Sequence, residues 1–282
     1  MRIFNTVSDL RNYLSGLRNA ETEIGFVPTM GALHDGHLAL MRRAKACNEI
    51  IVCSIFVNPI QFNNPEDLKN YPRTLESDVA KLESVNCDVL FCPSVGEMYP
   101  EPETKVYNFG PLESVMEGEH RPGHFNGVAI VVRKLLEMVE PNRAYFGEKD
   151  FQQLQIVKTL VKLENLNVKI VPCPTVREPD GLAMSSRNIR LSPEHRAIVP
   201  EINKCLADIP VLKNNMTVTV VKERIHQRIN KGDQMQLEYI EIAHSDTLMP
   251  IQSWPEPGQK LVACIAVQVG NVRLIDNHQF NS

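Results

Sequence analysis

The 282-residue chain lacks a CxxC pair, a long apolar run and an excess of positive charge. Its net charge of −4 argues against a broad basic surface for DNA or RNA, because nonspecific nucleic-acid affinity comes from clustered lysine and arginine. A small anionic ligand held by a few local cations is still compatible with this charge. We therefore expect a protein that does not bind nucleic acid.

The seven cysteines are an odd number and lie mostly in apolar runs, such as the one around Cys53. Buried, reduced thiols are a better interpretation than a metal site or disulfides, and they are typical of the cytoplasm. The N-terminal stretch has no apolar core like that of a secretory signal, and no apolar run approaches the roughly 20 residues of a membrane span. We expect a cytoplasmic protein that does not enter a membrane.

Short apolar strands alternate with helical patterns in the first part of the chain. Strands are predicted at 24–27, 50–57, 89–92, 144–146 and 168–171, and helices at 38–47, 75–85, 127–139 and 151–163. Apolar, Val/Ile-rich strands separated by helices predict a parallel sheet that is covered on both faces. The expected fold class is α/β, with a Rossmann-like doubly wound parallel sheet.

The composition changes at 172–181, where three prolines and a glycine occur in ten residues. Ser192 and Pro193 then predict the start of a helix that runs to about residue 208, and a second helix is predicted at 217–230. Strands at 237–242 and 261–269 follow, and a Gly-Asn turn predicts a hairpin with the last strand. We therefore divide the chain into a catalytic Rossmann-like domain, 1–175, and a smaller α+β domain, 176–282.

Unusual residues follow three of the predicted parallel strands, in the stretches PTMGALHDGH, NPIQF and GEKD. Ligands of open parallel sheets bind beyond the carboxyl ends of the strands, so we expect these stretches to meet in one crevice. Gly31 and Gly36 allow a close approach of the backbone to a ligand. A helix that begins near Gly36 directs free N–H groups and its positive dipole end towards an anion, most often a phosphate.

His34 and His37 are three residues apart, so a first helical turn places them on one side. Imidazoles there can donate hydrogen bonds to phosphate oxygens while charge builds on a leaving group. A single histidine in a turn is more often structural than catalytic. Two histidines at this spacing, with glycines at a strand–helix junction, favour a catalytic function.

Six ordered blocks between residues 28 and 188 carry a resemblance to a known family. HDGH resembles the HxGH signature of the nucleotidyltransferase superfamily, and GLAMSSRN resembles its KMSKS-like mobile loop, which closes on the ATP phosphates. Together with SIFVNPIQF, YPRT, RPGHFNGV and FGEKDFQQL, these blocks resemble the pantothenate synthetase (pantoate–β-alanine ligase) family. The C-terminal third has no motif of comparable specificity.

The resemblance implies an ATP-dependent condensation of pantoate with β-alanine. The pantoate carboxylate attacks the α-phosphorus of ATP, pyrophosphate leaves, and the amine of β-alanine then displaces AMP from the bound pantoyl adenylate. No protein nucleophile is required, so catalysis comes from positioning and from stabilising charge on phosphate oxygens. The resemblance also implies Mg²⁺ as the counter-ion of ATP, no tightly bound prosthetic group, and a homodimer.

Individual roles follow from the same resemblance. The expected catalytic residues are His34, His37, Lys149 and Arg187. The expected ATP-binding residues are Met30, Gly31, Ala32, Leu33, His34, Asp35, Gly36, His37, Gly147, Glu148, Lys149, Asp150, Val176, Met184, Ser185, Ser186 and Arg187. The residues expected around pantoate and β-alanine are Gln61, Gln153 and Asn58, whose neutral amides bind hydroxyls and a carboxylate without a full ion pair. No metal site made of protein ligands is expected.

Several residues are left open by the pattern. Asp78 is either a ligand of Mg²⁺ through water or, as we prefer, an acid at a helix N-terminus. Glu117, Arg121 and His124 lie in a stretch without clear periodicity, which is a loop at the site or a dimer contact. Without the resemblance, Asn58 would be a turn residue and Gln153 part of a solvated helix face.

Three other functions are compatible with parts of the pattern. Nucleotidyl transfer to a phosphorylated acceptor would keep AMP in the product, so the appearance of free AMP distinguishes it. A tRNA-charging enzyme is disfavoured by the acidic balance and by the absence of a basic anticodon-reading domain. A non-catalytic nucleotide sensor is disfavoured because both histidines, Lys149 and Arg187 are present.

Overall fold

The computed structural model describes residues 1–19 and 22–282, which divide into two compact units. Unit 1 contains Met1–Phe109, Arg121–Glu148 and Gln153–Pro174. Unit 2 contains Gly110–His120, Lys149–Gln152 and Thr175–Ser282. The division into domains at 175/176 stays a prediction, and two short segments that precede that point pack within unit 2.

The strands are β1 (Arg2–Phe4), β2 (Ile24–Thr29), β3 (Ile50–Ile55), β4 (Val89–Phe91), β5 (Arg143–Gly147), β6 (Lys169–Cys173), β7 (Met235–His244), β8 (Lys260–Val269) and β9 (Val272–Asn281). The α-helices are α1 (Val7–Leu17), α2 (Asp35–Lys45), α3 (Pro65–Lys69), α4 (Leu75–Ser84), α5 (Val95–Met98), α6 (Glu117–His120), α7 (His124–Val139), α8 (Phe151–Leu163), α9 (Pro193–Ile198), α10 (Pro200–Leu212) and α11 (Val218–Ile229). Short 3₁₀ turns lie at Pro59–Gln61, Gly110–Glu113, Glu148–Asp150 and Asn188–Arg190.

Unit 1 is built on a parallel sheet with the strand order β1-β4-β3-β2-β5-β6. Its inner strands are buried on both faces, as Phe26, Val52 and Tyr145 show. The chain proceeds from β2 towards β4 on one side and later returns to the other side with β5. The strand order therefore reverses next to β2, which is where open α/β sheets bind ligands. The predicted α/β, Rossmann-like fold is confirmed.

The structure differs from the sequence prediction at the N-terminus and in the C-terminal helices. The pattern did not reveal β1, which is only three residues long, or α1, which buries just Leu10 and Leu14. The helix predicted from Pro193 to about residue 208 is two helices, α9 and α10. Pro200 is the first residue of the second one, a position that favours proline because the N–H that it lacks would have no partner within the helix.

Unit 2 contains the antiparallel sheet β7-β8-β9, whose central strand is covered on both faces. On one face of β8, Ala263 and Ile265 pack in an apolar cluster with residues of α10 and α11. On the other face, Val262 and Cys264 pack against Met116 and Phe151 from the two short segments. This arrangement explains why β8 is a continuous apolar run, and it confirms the predicted smaller α+β part with its final hairpin.

Each of the seven cysteines, all within the described residues, is a free thiol. Five are buried, Cys92 is half-buried and Cys47 is exposed, so the interpretation as buried thiols holds for most of them. Burial raises the pKa of Cys87 and of Cys173 to about 11, so these thiols are protonated and poorly nucleophilic at neutral pH. Among the described residues, none of the helices has the length and apolarity needed to span a membrane.

Candidate active site

The turn between β2 and α2, residues 30–37, is called the histidine turn below. Gly31 has a φ of 79° and Ala32 a φ of 51°, both in the left-handed region. A Cβ atom on Gly31 would lie 3.0 Å from Ile55 Cγ2, so packing and backbone conformation both favour glycine there. For alanine this conformation costs on the order of 1 kcal/mol, and other contacts must therefore fix the turn.

Asp78 provides those contacts from the first turn of α4, where it is fully buried. One carboxylate oxygen accepts the N–H of Ala32 at 2.9 Å, and the other accepts the N–H of Leu33 at 2.8 Å. The Thr74 hydroxyl donates to the first oxygen at 3.2 Å, and the Lys81 ammonium donates to the Leu33 carbonyl at 2.7 Å. Both carboxylate oxygens are therefore engaged. Asp78 is an acid near a helix N-terminus, and it anchors the histidine turn.

The two imidazoles form the N-terminal cap of α2. His34 Nδ1 accepts the N–H of Gly36 at 3.2 Å, and His37 Nδ1 accepts the N–H of His34 at 3.3 Å. The ring centroids lie 4.1 Å apart, as the three-residue spacing predicts. A ring nitrogen that accepts carries no proton, so each neutral imidazole has its proton on Nε2. Both rings are thereby prepared to donate from Nε2.

The structure corrects the expectation of free N–H groups at the start of α2. The helix begins at Asp35, one residue before Gly36, and His34 is its N-cap. The N–H of Gly36 is used by the His34 ring, and the N–H of His37 donates to the His34 carbonyl at 2.8 Å. The reason is that an imidazole at the N-cap is itself a good acceptor. An anion at this turn would meet imidazole donors and the helix dipole.

Asn58 lies just before the 3₁₀ turn that follows β3, Gln61 lies within that turn, and both are buried. The Asn58 amide donates to Gln61 Oε1 at 3.0 Å, and Gln61 Nε2 approaches Met30 Sδ at 3.2 Å. The Tyr99 hydroxyl donates to Asn58 Oδ1 at 2.8 Å. Burial raises the pKa of Tyr99, which keeps this hydroxyl protonated as a donor. Sequence reasoning missed Tyr99, because no local pattern marks it.

Helix α7 holds this turn in place. The buried His124 ring donates from Nδ1 to the Gln61 carbonyl at 2.8 Å. A Cβ atom on Gly127 would lie 2.5 Å from the Ile60 carbonyl oxygen and 2.8 Å from Gln61 Cα. Glycine at 127 is therefore required for this close packing. His124, which the pattern left unassigned, positions Gln61, whereas Arg121 remains unassigned.

Gly147 ends β5 and Glu148 follows it, and β5 pairs with β2 on the side opposite β3. The histidine turn, the Asn58–Gln61 turn and Gly147–Glu148 therefore lie at the carboxyl ends of three adjacent parallel strands of unit 1. The sequence predicts that these stretches meet in one crevice, and that meeting stays a prediction. Gln153 is half-buried in the first turn of α8.

The other predicted residues belong to unit 2. The Lys149 side chain is 19% exposed, and its ammonium lies 3.6 Å from an Asp150 carboxylate oxygen. Residues 176–184 form a hairpin. In it the Met184 N–H donates to the Val176 carbonyl at 3.0 Å, and Arg177 forms an isolated antiparallel β-bridge with Ala183. The predicted contact of Val176 with ATP stays a prediction.

The stretch that follows the hairpin is half-buried at Ser185, Ser186 and Arg187. The Arg187 N–H donates to Ser185 Oγ at 3.3 Å, and the Asn188 N–H donates to the Ser185 carbonyl at 3.0 Å. These two bonds form a local turn at residues 185–188.

Glu117 has a structural role within unit 2. Its carboxylate accepts a bidentate pair from Arg273 at 2.7 and 2.8 Å, together with the Tyr239 hydroxyl at 2.9 Å. The buried Gln152 accepts the Glu117 N–H at 3.0 Å and donates to the Leu112 carbonyl at 2.7 Å. These bonds tie the two short segments to β7 and β9. Sequence reasoning could not assign Glu117, because Arg273 is 156 residues away.

A Rossmann-like sheet, with paired imidazoles at the helix that follows a strand beside the reversal point, is typical of nucleotide-binding α/β enzymes. The family model described as Pantoate-beta-alanine ligase matches residues 2–279. The chain belongs to the pantoate–β-alanine ligase family, and it is a ligase that joins pantoate to β-alanine.

Individual relatives are similar over nearly their whole length. The pantothenate synthetase of Porphyromonas gingivalis is 50% identical over 99% of this chain and 99% of its own. The solved structure of the Thermus thermophilus pantothenate synthetase has 44% identity and a TM-score of 0.89, with 99% of each chain covered. That of the Francisella tularensis pantoate-beta-alanine ligase, complexed with Beta-gamma ATP and Beta-alanine, has 36% identity and a TM-score of 0.80, with 99% and 97% covered.

Proposed function

We propose that the protein condenses pantoate with β-alanine through a pantoyl adenylate formed from ATP. The observation that carries this proposal is the histidine turn, in which backbone N–H groups occupy Nδ1 of both imidazoles. The Nε2–H groups are then the donors that phosphate oxygens require. A relative solved with Beta-gamma ATP and Beta-alanine supports the use of these two substrates.

The proposed reaction has two displacements. A pantoate carboxylate oxygen attacks the α-phosphorus of ATP, and the bond to the departing pyrophosphate breaks. The β-alanine amine then attacks the acyl carbon, the bond from that carbon to the AMP oxygen breaks, and the nitrogen loses a proton. His34 and His37 stabilise charge on the phosphates, while Lys149 and Arg187 stabilise the pyrophosphate. The other predicted ATP-binding residues line the nucleotide.

Pantoate is proposed to lie against Gln61 and Asn58, with Gln153 nearby. In the structure the Gln61 amide donates to the Met30 thioether, which is a weak acceptor. A substrate hydroxyl or carboxylate can replace that sulfur at little cost. Asn58 fixes the orientation of the Gln61 amide, because it donates to Gln61 Oε1 and leaves Nε2 for the substrate.

Gln61→Ala and Gln153→Ala are each expected to raise the KM for pantoate by about 10-fold, the effect of a binding loss near 1.4 kcal/mol. The KM for ATP should stay within about twofold, because the amides recognise the acid and not the phosphates. Steady-state kinetics with each substrate varied in turn measures both values. Equal damage to both KM values would show that the pantoate site is elsewhere.

Gly127→Ala is expected to raise the KM for pantoate about 10-fold as well, although neither glycine nor alanine has a polar side chain that could bind the substrate. The new methyl group would collide with the backbone at Ile60 and Gln61 and displace the Gln61 amide. Gly16→Ala in α1 is the matched control, because a Cβ atom there meets nothing within 4 Å. The same pair of titrations measures the effect. A normal pantoate KM in Gly127→Ala would contradict the role of α7.

The remaining proposals concern the state of the protein. We propose that Mg²⁺ arrives with ATP as part of the substrate, held mainly by phosphate oxygens and water. Asp78 is not proposed as its ligand, because backbone N–H groups occupy both carboxylate oxygens. We further propose a cytoplasmic homodimer without a tightly bound prosthetic group and without a nucleic-acid partner.

The direct test of function is to incubate the protein with ATP, Mg²⁺, pantoate and β-alanine and to identify the products by mass. Pantothenate, AMP and pyrophosphate are the expected products. ADP with phosphate would contradict adenylation, and a product that retains AMP would indicate nucleotidyl transfer to the acceptor.

A further inference from the structure

We propose that Asp276 and Asn277, adjacent residues of β9, position the ATP-binding groups of unit 2. Asp276 holds the base of the 176–184 hairpin, which leads to Ser185–Arg187, and Asn277 holds the main chain at Lys149. The inference rests on the proposed function of Lys149 and Arg187 towards ATP. It gives a function to a strand in the part of the chain that has no specific motif.

Asp276 is buried and binds Arg177 through both carboxylate oxygens. Arg177 donates to Oδ2 at 2.7 Å and to Oδ1 at 3.0 Å, and the Asp276 side chain is only 4% exposed. Oδ1 also accepts the N–H of Asn277 at 2.8 Å. Such a bidentate pair fixes the plane of the guanidinium as well as its distance.

Arg177 carries this constraint into the hairpin. Its guanidinium donates to the Gly181 carbonyl at 3.0 Å, on the opposite side of the hairpin turn. The backbone of the hairpin then closes through the N–H of Glu178, which donates to the Leu182 carbonyl at 2.8 Å. Gly181 has a φ of 93°, which glycine adopts easily. The position of Met184 and of the residues after it therefore depends on Asp276.

Asn277 makes the second connection. Its amide donates to the Lys149 carbonyl at 2.8 Å, and Asn277 is itself 5% exposed. Arg177 also donates to the Asn277 carbonyl at 3.3 Å. Lys149 and the hairpin are 27 residues or more apart in sequence, yet Asn277 is bonded to both, because it donates to Lys149 and accepts from Arg177.

The strand is a suitable support for this purpose. Asp276 and Asn277 pair with Ile265 and Cys264 of β8, the buried central strand of unit 2. A site is positioned more accurately by side chains on a strand than by a free loop. A buried ion pair is weak support for stability, since apolar residues of the same volume often serve as well. Positioning explains the pair better than stability alone.

The test uses full-length Asn277→Asp and Asp276→Asn, with Glu241→Gln as the matched control. Asn277→Asp keeps the shape but places a carboxylate oxygen against the Lys149 carbonyl. Asp276→Asn keeps the shape but removes the charge that binds Arg177. Glu241 lies on β7 of the same unit and makes an ion pair with Lys222 at 2.9 Å. Glu241→Gln therefore removes one carboxylate charge of an ion pair elsewhere in unit 2.

Three quantities are measured for each protein: the Kd of a non-hydrolysable ATP analogue by calorimetry, the KM values for all three substrates, and the melting temperature. We expect the Kd and the KM for ATP to rise about 5–20-fold in both variants, a range set by the loss of one or two hydrogen bonds at charged or buried groups. The KM values for pantoate and β-alanine should stay within about twofold. Glu241→Gln should match the wild type in ATP affinity.

Unchanged ATP affinity in a folded Asn277→Asp or Asp276→Asn protein would overturn the inference, as would equal increases in all three KM values. If Asp276→Asn does not fold, Asn277→Ala, which removes only the side-chain amide, provides the same comparison. The ATP-analogue Kd requires no turnover. If the wild type binds ATP normally but forms no pantoyl adenylate, the proposed function is contradicted. The effect of the variants on ATP affinity can still be measured in that case.

Discussion

His37→Ala is expected to slow formation of the adenylate by about 10²–10³-fold, the effect of removing one preorganised donor to developing charge. The Kd for ATP should change little, because the lost bond strengthens only as charge builds on the phosphate oxygens. Pantoate-dependent exchange of labelled pyrophosphate into ATP measures the rate, and calorimetry with a non-hydrolysable ATP analogue measures the affinity.

His37 also caps α2, so the control must separate these two functions. His37 Nδ1 accepts the N–H of His34, and its loss should cost about 1 kcal/mol of stability. His37→Gln offers a side-chain oxygen that can restore this cap, because glutamine is favoured at this third position of a helix. It should recover the melting temperature without recovering the exchange rate. Near-normal exchange in His37→Ala would reassign His37 to the structure of the turn.

Asp78→Asn is expected to weaken ATP binding by at least about 10-fold and to lower the free energy of unfolding by about 3 kcal/mol. An amide has one oxygen, so it cannot accept the N–H groups of both Ala32 and Leu33, and its own NH₂ group would face one of them. The left-handed backbone at Ala32 then loses its support. Urea denaturation and calorimetry with the ATP analogue measure the two effects.

Glu76→Gln is the matched control for Asp78→Asn. Glu76 lies in the same first turn of α4 and is exposed, so both substitutions remove one acid near the same helix N-terminus. The control should keep normal ATP affinity. If both variants weaken ATP binding equally, the helix charge is responsible and Asp78 does not anchor the histidine turn.

The sequence predicted the parts of the fold that depend on local pattern. β3 and β8 are continuous apolar runs, because both of their faces are covered, and such runs are visible without any structure. β1 has only three residues, so it has no periodicity to detect. The break at Pro200 was missed because the apolar spacing continues across it, while the proline ring interrupts the backbone.

The candidate site was predictable only where its parts are close in sequence. The spacing of His34 and His37 gave their proximity directly. Asp78 is 45 residues from Leu33, and Asn277 is 128 residues from Lys149, so no local pattern relates them. Tyr99 supports Asn58 through a single hydroxyl from 41 residues away, so no local pattern relates this pair either. Residues that position others through long-range hydrogen bonds require the tertiary structure to be recognised.

The central claim is that adenylation is complete before the amine is needed, and pyrophosphate exchange tests it most directly. Wild-type protein with ATP, Mg²⁺ and pantoate, but without β-alanine, should exchange labelled pyrophosphate into ATP. Free AMP should accumulate in step with pantothenate only after β-alanine is added. Arg187→Ala should depress the exchange strongly and affect the reaction of preformed pantoyl adenylate with β-alanine much less. Exchange that strictly requires β-alanine would contradict the stepwise mechanism.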